Sequence, residues 1–148
     1  MTCDFCDIVS GRAPAHIVWQ DDDVMVFADH QPIRPGHVQI IPKRHYSYFD
    51  DLPEPLIGLI VRLGQRLARA QKVIFGVPRV GFVFTGNDVP HCHAHLIPLH
   101  DTGDVTSLRY FDRVSVLKRR DLSVPSADLQ QMAKRLGRAL EEHHEDRI

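Results

Sequence analysis

His91-Cys92-His93-Ala94-His95-Leu96-Ile97 alternates an imidazole with a small or apolar side chain, and its meaning turns on the secondary structure it adopts. On a helix, residues two apart point away from each other, so the three rings would not meet. On a strand, alternate side chains share a face, with about 6.6 Å between successive members. Pro90 and Pro98 flank the run and Leu96-Ile97 continues it, which favours a strand. Three imidazoles then line one face, while Cys92, Ala94 and Leu96 turn the other way, toward a core. Core packing is a poor explanation for three polar rings in a row on one face.

The flanking sequence supplies the other strands. Residues 16–20 and 24–29 are rich in Val, Ile, Trp and Phe, and Asp21-Asp22-Asp23 separates them, the pattern of a β-hairpin. After a loop at Pro32 and Pro35-Gly36, His37-Val38-Gln39-Ile40-Ile41 reads as a third strand closed by Pro42. The period then changes. Leu56, Leu59, Ile60, Leu63, Leu67, Ala70 and Ile74 recur at steps of three and four, the stripe of an amphipathic helix. Asp50 or Asp51 suits its N-cap, Pro53 its first turn and Gly76 its end. Val80–Thr85 reads as a fourth strand, and the histidine run lies in a fifth. Leu129, Met132, Ala133, Leu136 and Leu140 predict a C-terminal helix capped by Ser126. Strands grouped around one long helix imply an α+β domain with a mainly antiparallel sheet.

Composition excludes several function classes. At 148 residues one domain is expected. The formal net charge of −1 gives no basic field of the kind that draws nucleic acid or anionic membranes. Lys118-Arg119-Arg120 lies beside Asp121 and reads as a solvated face. No apolar run approaches the ~20 residues of a membrane span, and Met1-Thr2-Cys3-Asp4 lacks a signal-peptide opening. A cytoplasmic protein is therefore expected. Three cysteines, an odd number, argue against a disulfide framework and fit a reducing compartment. Ten histidines direct attention to metal or acid–base chemistry.

The spacing of the run leaves two chemistries open. Imidazoles at i and i+2 on a strand can share a zinc ion. Equally, one imidazole can attack phosphorus and form a covalent phosphoramidate while its neighbours fix tautomers and donate protons. Cys3 and Cys6 form a Cys-x-x-Cys pair, which suits half of a tetrahedral zinc site, a redox pair or two free thiols. His143 and His144 lie in a polar tail expected to be exposed.

The run resembles the His-φ-His-φ-His-φ-φ signature (φ apolar) of the histidine triad (HIT) proteins. Two further stretches resemble the same family in the same order. One is Phe27-Ala28-Asp29-His30-Gln31-Pro32 with Pro35-Gly36-His37-Val38-Gln39-Ile40-Ile41-Pro42-Lys43-Arg44-His45. The other is Cys3-Asp4-Phe5-Cys6-Asp7-Ile8-Val9-Ser10-Gly11, typical of bacterial members with a Cys-x-x-Cys opening. The resemblance spans roughly residues 3–100 and leaves 101–148 as a C-terminal extension of a single HIT domain, 1–148.

This resemblance implies a five-stranded, mainly antiparallel sheet with one long central helix and a C-terminal helix, assembled as a homodimer. It implies a nucleotide hydrolase or transferase acting at the α-phosphorus of purine nucleoside phosphoramidates, aminoacyl nucleotides or dinucleoside polyphosphates. His93 would be the nucleophile, His95 would contact the phosphate or leaving group, and His91 and His37 would support them. Asp29 falls where a ribose acceptor is expected; Phe5, Ile8 and Phe27 fall at the base pocket, with His30 beside it. By the same resemblance Cys3, Cys6, His45 and His91 would hold a structural zinc, and no catalytic metal is required.

The sequence departs from the family at one place. Relatives carry a longer glycine-rich loop ending in Gly-Gln-Ser/Thr-Val, where this chain has Thr85-Gly86-Asn87-Asp88-Val89. Asn87 offers a shorter amide, and Asp88 puts an acceptor-only anion where a neutral donor stands. That substitution and the shortened loop are the main support for a rival class of function, a nucleotide-binding module without turnover; a third and more remote reading takes His91, His93 and His95 as the ligands of a zinc hydrolase.

Overall fold

The computed structural model describes residues 3–85, 88–101, 104–105 and 124–142. Lys118-Arg119-Arg120, Asn87 and the His143-His144 pair lie outside the described residues. In chain order the elements are α1 (Asp4–Val9), β1 (Ile17–Gln20), β2 (Val24–Ala28), β3 (Val38–Pro42), a 3-10 turn (Phe49–Asp51), α2 (Glu54–Phe75), β4 (Arg79–Thr85), β5 (His93–Leu99) and α3 (Ser126–Glu142). The five strands form one sheet in the order β1-β2-β3-β5-β4, with every neighbouring pair antiparallel. The α+β class and the strand set expected from the sequence are the ones found.

The sheet is covered on both faces, which is why β2 and β3 read as unbroken apolar runs: every residue of each is buried. Val24, Val26, Ala28, Val38, Ile40, Ala94 and Leu96 pack under α2 and α3. Their alternates Met25, Phe27 and Ile41 meet Phe5 of α1 on the opposite face. The period-2 alternation of strands thus sorts one continuous sequence into a helical core and a second, smaller cluster. Because β5 lies between β3 and β4, residues of both neighbours flank the histidines on that second face. His95 pairs with Gln39 on one side and Val83 on the other, and His93 pairs with Thr85.

Local signals were overridden in three places. Asp50 and Asp51 do not cap α2, because they belong to the 3-10 turn and α2 begins at Glu54. Leu52 precedes Pro53 and is extended (ψ 135°), which stops the helix growing back to them. The carbonyl of Pro53 receives the first helical amides, from Leu56 and Ile57. Ser126 is the first residue of α3 rather than its cap: the Pro125 carbonyl receives the Asp128 and Leu129 amides, and the Ser126 hydroxyl lies 2.9 Å from His16 Nε2. The strand carrying the run begins at His93, so His91 and Cys92 precede the ladder, and the Cys92 amide bonds the Tyr46 carbonyl. Gly76 does end α2, in the left-handed region (φ +63°) that favours glycine.

Candidate active site

The second face of β5 is built from hydrogen bonds that assign a proton to each imidazole. A carbonyl oxygen only accepts, so a ring nitrogen bonded to one must carry the hydrogen, leaving the other nitrogen with a lone pair in the neutral ring. His93 Nδ1 lies 2.7 Å from the His91 carbonyl, and its bare Nε2 then faces Thr85 Oγ1 at 3.4 Å. For His95 the chain of contacts starts at the main chain. The Ile33 amide donates to His37 Nδ1 at 3.1 Å, so His37 Nε2–H donates to His95 Nδ1 at 2.8 Å. That leaves His95 with an Nε2–H, 2.9 Å from Thr85 Oγ1. Adjacent rings of the run therefore carry opposite groups: a lone pair on His93 and a donor on His95.

Burial favours the neutral forms of His37 and His95. It pushes His37 down to about 4, against the opposing pull of the Asp29 carboxylate. Burial, then the neighbouring His93, also lowers His95. Burial alone would raise Asp29, but His37, the Gln39 amide and the Gln31 amide outweigh it and keep the carboxyl below its ordinary value. Asp29 Oδ1 accepts from the Gln31 main chain at 2.8 Å, and Oδ2 accepts from Gln39 Nε2 at 2.6 Å. Asp29 is thus tied into the layer beneath His37 and His95.

A cavity of about 420 Å³ opens over this layer. Phe5, Ile8, Phe27, Asp29, His30 and Asp88, all sequence-predicted contacts, line it together with His37 and His95. His93 is not among the lining residues: it is 1% exposed and lies behind Phe5, ring to ring at a centroid distance of 5.2 Å, and beside His95 at 4.9 Å. Asp88 stands in front of it: Oδ1 is 3.8 Å from His93 Nε2, and the side chain is 77% exposed. Two contributors were not singled out from the sequence, Thr85 and Gln39. Both are cross-strand partners of the histidines, a relation that exists only once the register is set.

His91 faces elsewhere. Its Nε2–H bonds the Pro42 carbonyl at 2.8 Å, and Nδ1 lies 3.4 Å from Cys3 Sγ and 3.6 Å from Cys6 Sγ. His45 Nδ1 lies 3.5 Å from Cys6 Sγ, and the four donor atoms fall within 4.8 Å of one another. In a tetrahedral zinc site with Zn–S about 2.3 Å and Zn–N about 2.0 Å, the S···N edges come to about 3.5 Å. The four residues fit such a site, and the Pro42 carbonyl fixes the His91 tautomer that ligation needs. By contrast, His91, His93 and His95 do not share a metal-binding arrangement: His91 turns Nδ1 to the two cysteines, while His93 and His95 turn Nε2 to Thr85 Oγ1, so the three-histidine zinc site weighed from the sequence is not what the run builds. The third cysteine, Cys92, is core, its thiol pushed up to about 12 by burial and then by Asp50 and Asp51.

An antiparallel sheet with His37, His93 and His95 gathered beside a cavity next to a short N-terminal helix defines the histidine triad class. The HIT domain family model matches residues 10–102, and the chain belongs to that family. A HIT-like protein of Methanocaldococcus jannaschii is 29% identical over 103 residues, 67% of this chain and 80% of its own. The adenosine 5'-monophosphoramidase of Saccharomyces cerevisiae is 32% identical over 100 residues, 67% of this chain and 63% of its own. A zinc-bound histidine triad family protein from Mycobacterium smegmatis shares the fold with a TM-score of 0.74 at 26% identity, covering 99% of this chain and 98% of its own. A HIT-like protein from Bartonella henselae shares the fold alone, with a TM-score of 0.77 at 24% identity over 93% of this chain and 96% of its own.

Proposed function

We propose that this chain, acting as a single HIT domain, is a nucleotide hydrolase or transferase whose nucleophile is His93 Nε2. The observation that carries the reading is the opposite protonation of adjacent rings: a lone pair held on His93 Nε2 by the His91 carbonyl, and a hydrogen held on His95 Nε2 by the His37 chain. In the first step the His93 lone pair attacks the α-phosphorus of a purine nucleoside phosphoramidate, and the P–N bond breaks with its electron pair on the leaving amine. The amine takes up a proton that enters from solvent by way of His95 Nε2–H. In the second step water attacks the phosphorus, the bond to His93 breaks, and a proton leaves by the same route, so nucleoside monophosphate and amine are the net products of adding one water. Aminoacyl nucleotides and dinucleoside polyphosphates react at the same phosphorus with a different leaving group. The phosphoramidase activity of the yeast relative supports taking the phosphoramidate first.

In the same proposal Asp29 accepts from the ribose, and Phe5, Ile8, Phe27 and His30 receive the base, with Asn87 near the phosphate. A zinc ion held by Cys3, Cys6, His45 and His91 would be structural, tying the N-terminus to the segment that enters β5. A homodimer through β4 is supported by that strand's position at the sheet edge, where the exposed Phe82 and the partly buried Phe84 lie, with Phe49 packed against Phe84. A cytoplasmic location fits the free cysteines. Among the described residues no helix is long and apolar enough to cross a membrane.

One observation favours a second reading, a binding module without turnover: Asp88 faces the nucleophile, where an anion opposes a phosphate. Release of AMP from adenosine phosphoramidate by wild type and by His93→Ala, with and without chelator, separates the two. The hydrolase reading expects release by wild type that chelator does not abolish, and a loss of about a thousandfold or more in the variant. Nucleotide binding without release, the same in both proteins, would leave the binding module.

A further inference from the structure

The cavity beside His95 does not end at Phe27 and His30. A second cavity of about 400 Å³ shares Ile8, Phe27 and His30 with it and continues to His16, Ser126 and Leu129. Its far wall belongs to α3, outside residues 10–102 that match the family. The two cavities together form a corridor. Its near end holds the phosphoryl chemistry, Asp29 lies along it, and Ile8 and Phe27 give it apolar walls.

Two polar side chains stand at the far end, with Ser126 Oγ 2.9 Å from His16 Nε2. The His16 carbonyl is already engaged by the Ala28 amide at 2.9 Å, so the ring and the hydroxyl are what this end offers a ligand. Whichever of the two donates to the other, a hydrogen remains: on His16 Nδ1 if serine donates, or on the serine hydroxyl if histidine does. An apolar slot ending in a few convergent polar groups is how ligand sites fix the orientation of a flat heterocycle. A ribose 5-phosphate reaching from the histidines past Asp29 leaves this second cavity empty. A purine extends into it further than a pyrimidine does.

We infer that His16 and Ser126 are the base-reading end of the nucleotide site, contacting the edge of a purine lodged against Ile8 and Phe27. Base preference is then set by a residue of α3 acting with one from the loop before β1. The inference rests on the proposed function only in placing the phosphoryl group at the histidines.

Calorimetric titration of the full chain with AMP, CMP and ribose 5-phosphate tests it without requiring turnover. Wild type is expected to bind AMP at least tenfold more tightly than ribose 5-phosphate, with CMP between them. His16→Ala and Ser126→Ala should each weaken AMP binding about three- to tenfold while leaving ribose 5-phosphate unchanged. His16→Gln, which keeps a hydrogen-bonding group, should retain the fold by circular dichroism and alter the ranking of AMP against GMP. Equal binding of AMP and ribose 5-phosphate by wild type would overturn the inference, as would an AMP advantage untouched in all three variants. Base-dependent binding without AMP release from a phosphoramidate would sink the hydrolase reading and leave this one standing. Release with a flat base profile would do the reverse.

Discussion

A neutral imidazole has one donor and one acceptor, so a single main-chain contact at one nitrogen sets the chemistry of the other. Here the His91 carbonyl and the Ile33 amide do this for His93 and His95. The arrangement requires His37 to be neutral, and that has a consequence for stability. Its folded value is about 4 against an ordinary 6.5, with burial as the cause, so between those two pH values the unfolded chain binds the extra proton. Unfolding free energy therefore falls as pH drops through this window, by on the order of 3 kcal/mol for His37. His95 shifts in the same direction. Urea unfolding at pH 7 and pH 4.5 should show this loss in wild type and a smaller one in His37→Gln; an unchanged loss would contradict the assignment. Asp88 gives a second prediction. Removing an exposed anion 3.8 Å from His93 should tighten AMP binding in Asp88→Asn about fivefold at low salt, with the gain shrinking as salt is added. Weaker binding would show that Asp88 assists the site. At this scale the histidine spacing exposed the reacting residues directly. Thr85 and Gln39 stayed hidden because a Thr or Gln in a strand becomes a partner of His93 or His95 only through long-range register.

Among the elements, those with a strong period were legible and those fixed by tertiary contacts were not. The 22-residue α2 announced itself through its apolar stripe, and the β1–β2 hairpin through Asp21, whose carboxylate receives the Asp23 and Val24 amides. The six-residue α1 was not read as a helix, since its only signal is Phe5, Ile8 and Val9 at three- and four-residue steps. Ser126 misled because its hydroxyl serves a tertiary partner, His16, 110 residues away in sequence. The docking of α3 against β1 also depends on a contact invisible to pattern. A Cβ on Gly137 would come 2.6 Å from the Val18 carbonyl oxygen, a main-chain atom that cannot swing aside. Alanine usually favours a helix over glycine by about 1 kcal/mol. Gly137→Ala should nevertheless destabilise the protein, by about 1–3 kcal/mol in urea unfolding, because the overpacking outweighs the propensity. A more stable variant would mean that α3 does not sit so close to β1.

For the molecule as a whole, the family and the α+β fold were readable from three ordered motifs, since these occupy the strands and loops that meet on one face of the sheet. What lay beyond the motifs was less accessible. The C-terminal helix was seen as an amphipathic segment, but not as a wall of a cavity reaching the histidines. Assembly is the remaining property at this scale. β4 ends the sheet with Phe82 at 38% exposure, so sedimentation at micromolar concentration should give a dimer in wild type and a monomer in Phe82→Glu. A wild-type monomer would refute the edge-to-edge assembly. The central claim, that His93 carries the nucleotidyl group between two displacements, is tested most directly by rapid-quench mass spectrometry during turnover of adenosine phosphoramidate. The account predicts an adenylyl group on the His93 imidazole at early times, absent from His93→Ala together with AMP release. An adenylyl group on another residue, or undiminished release by His93→Ala, would contradict it.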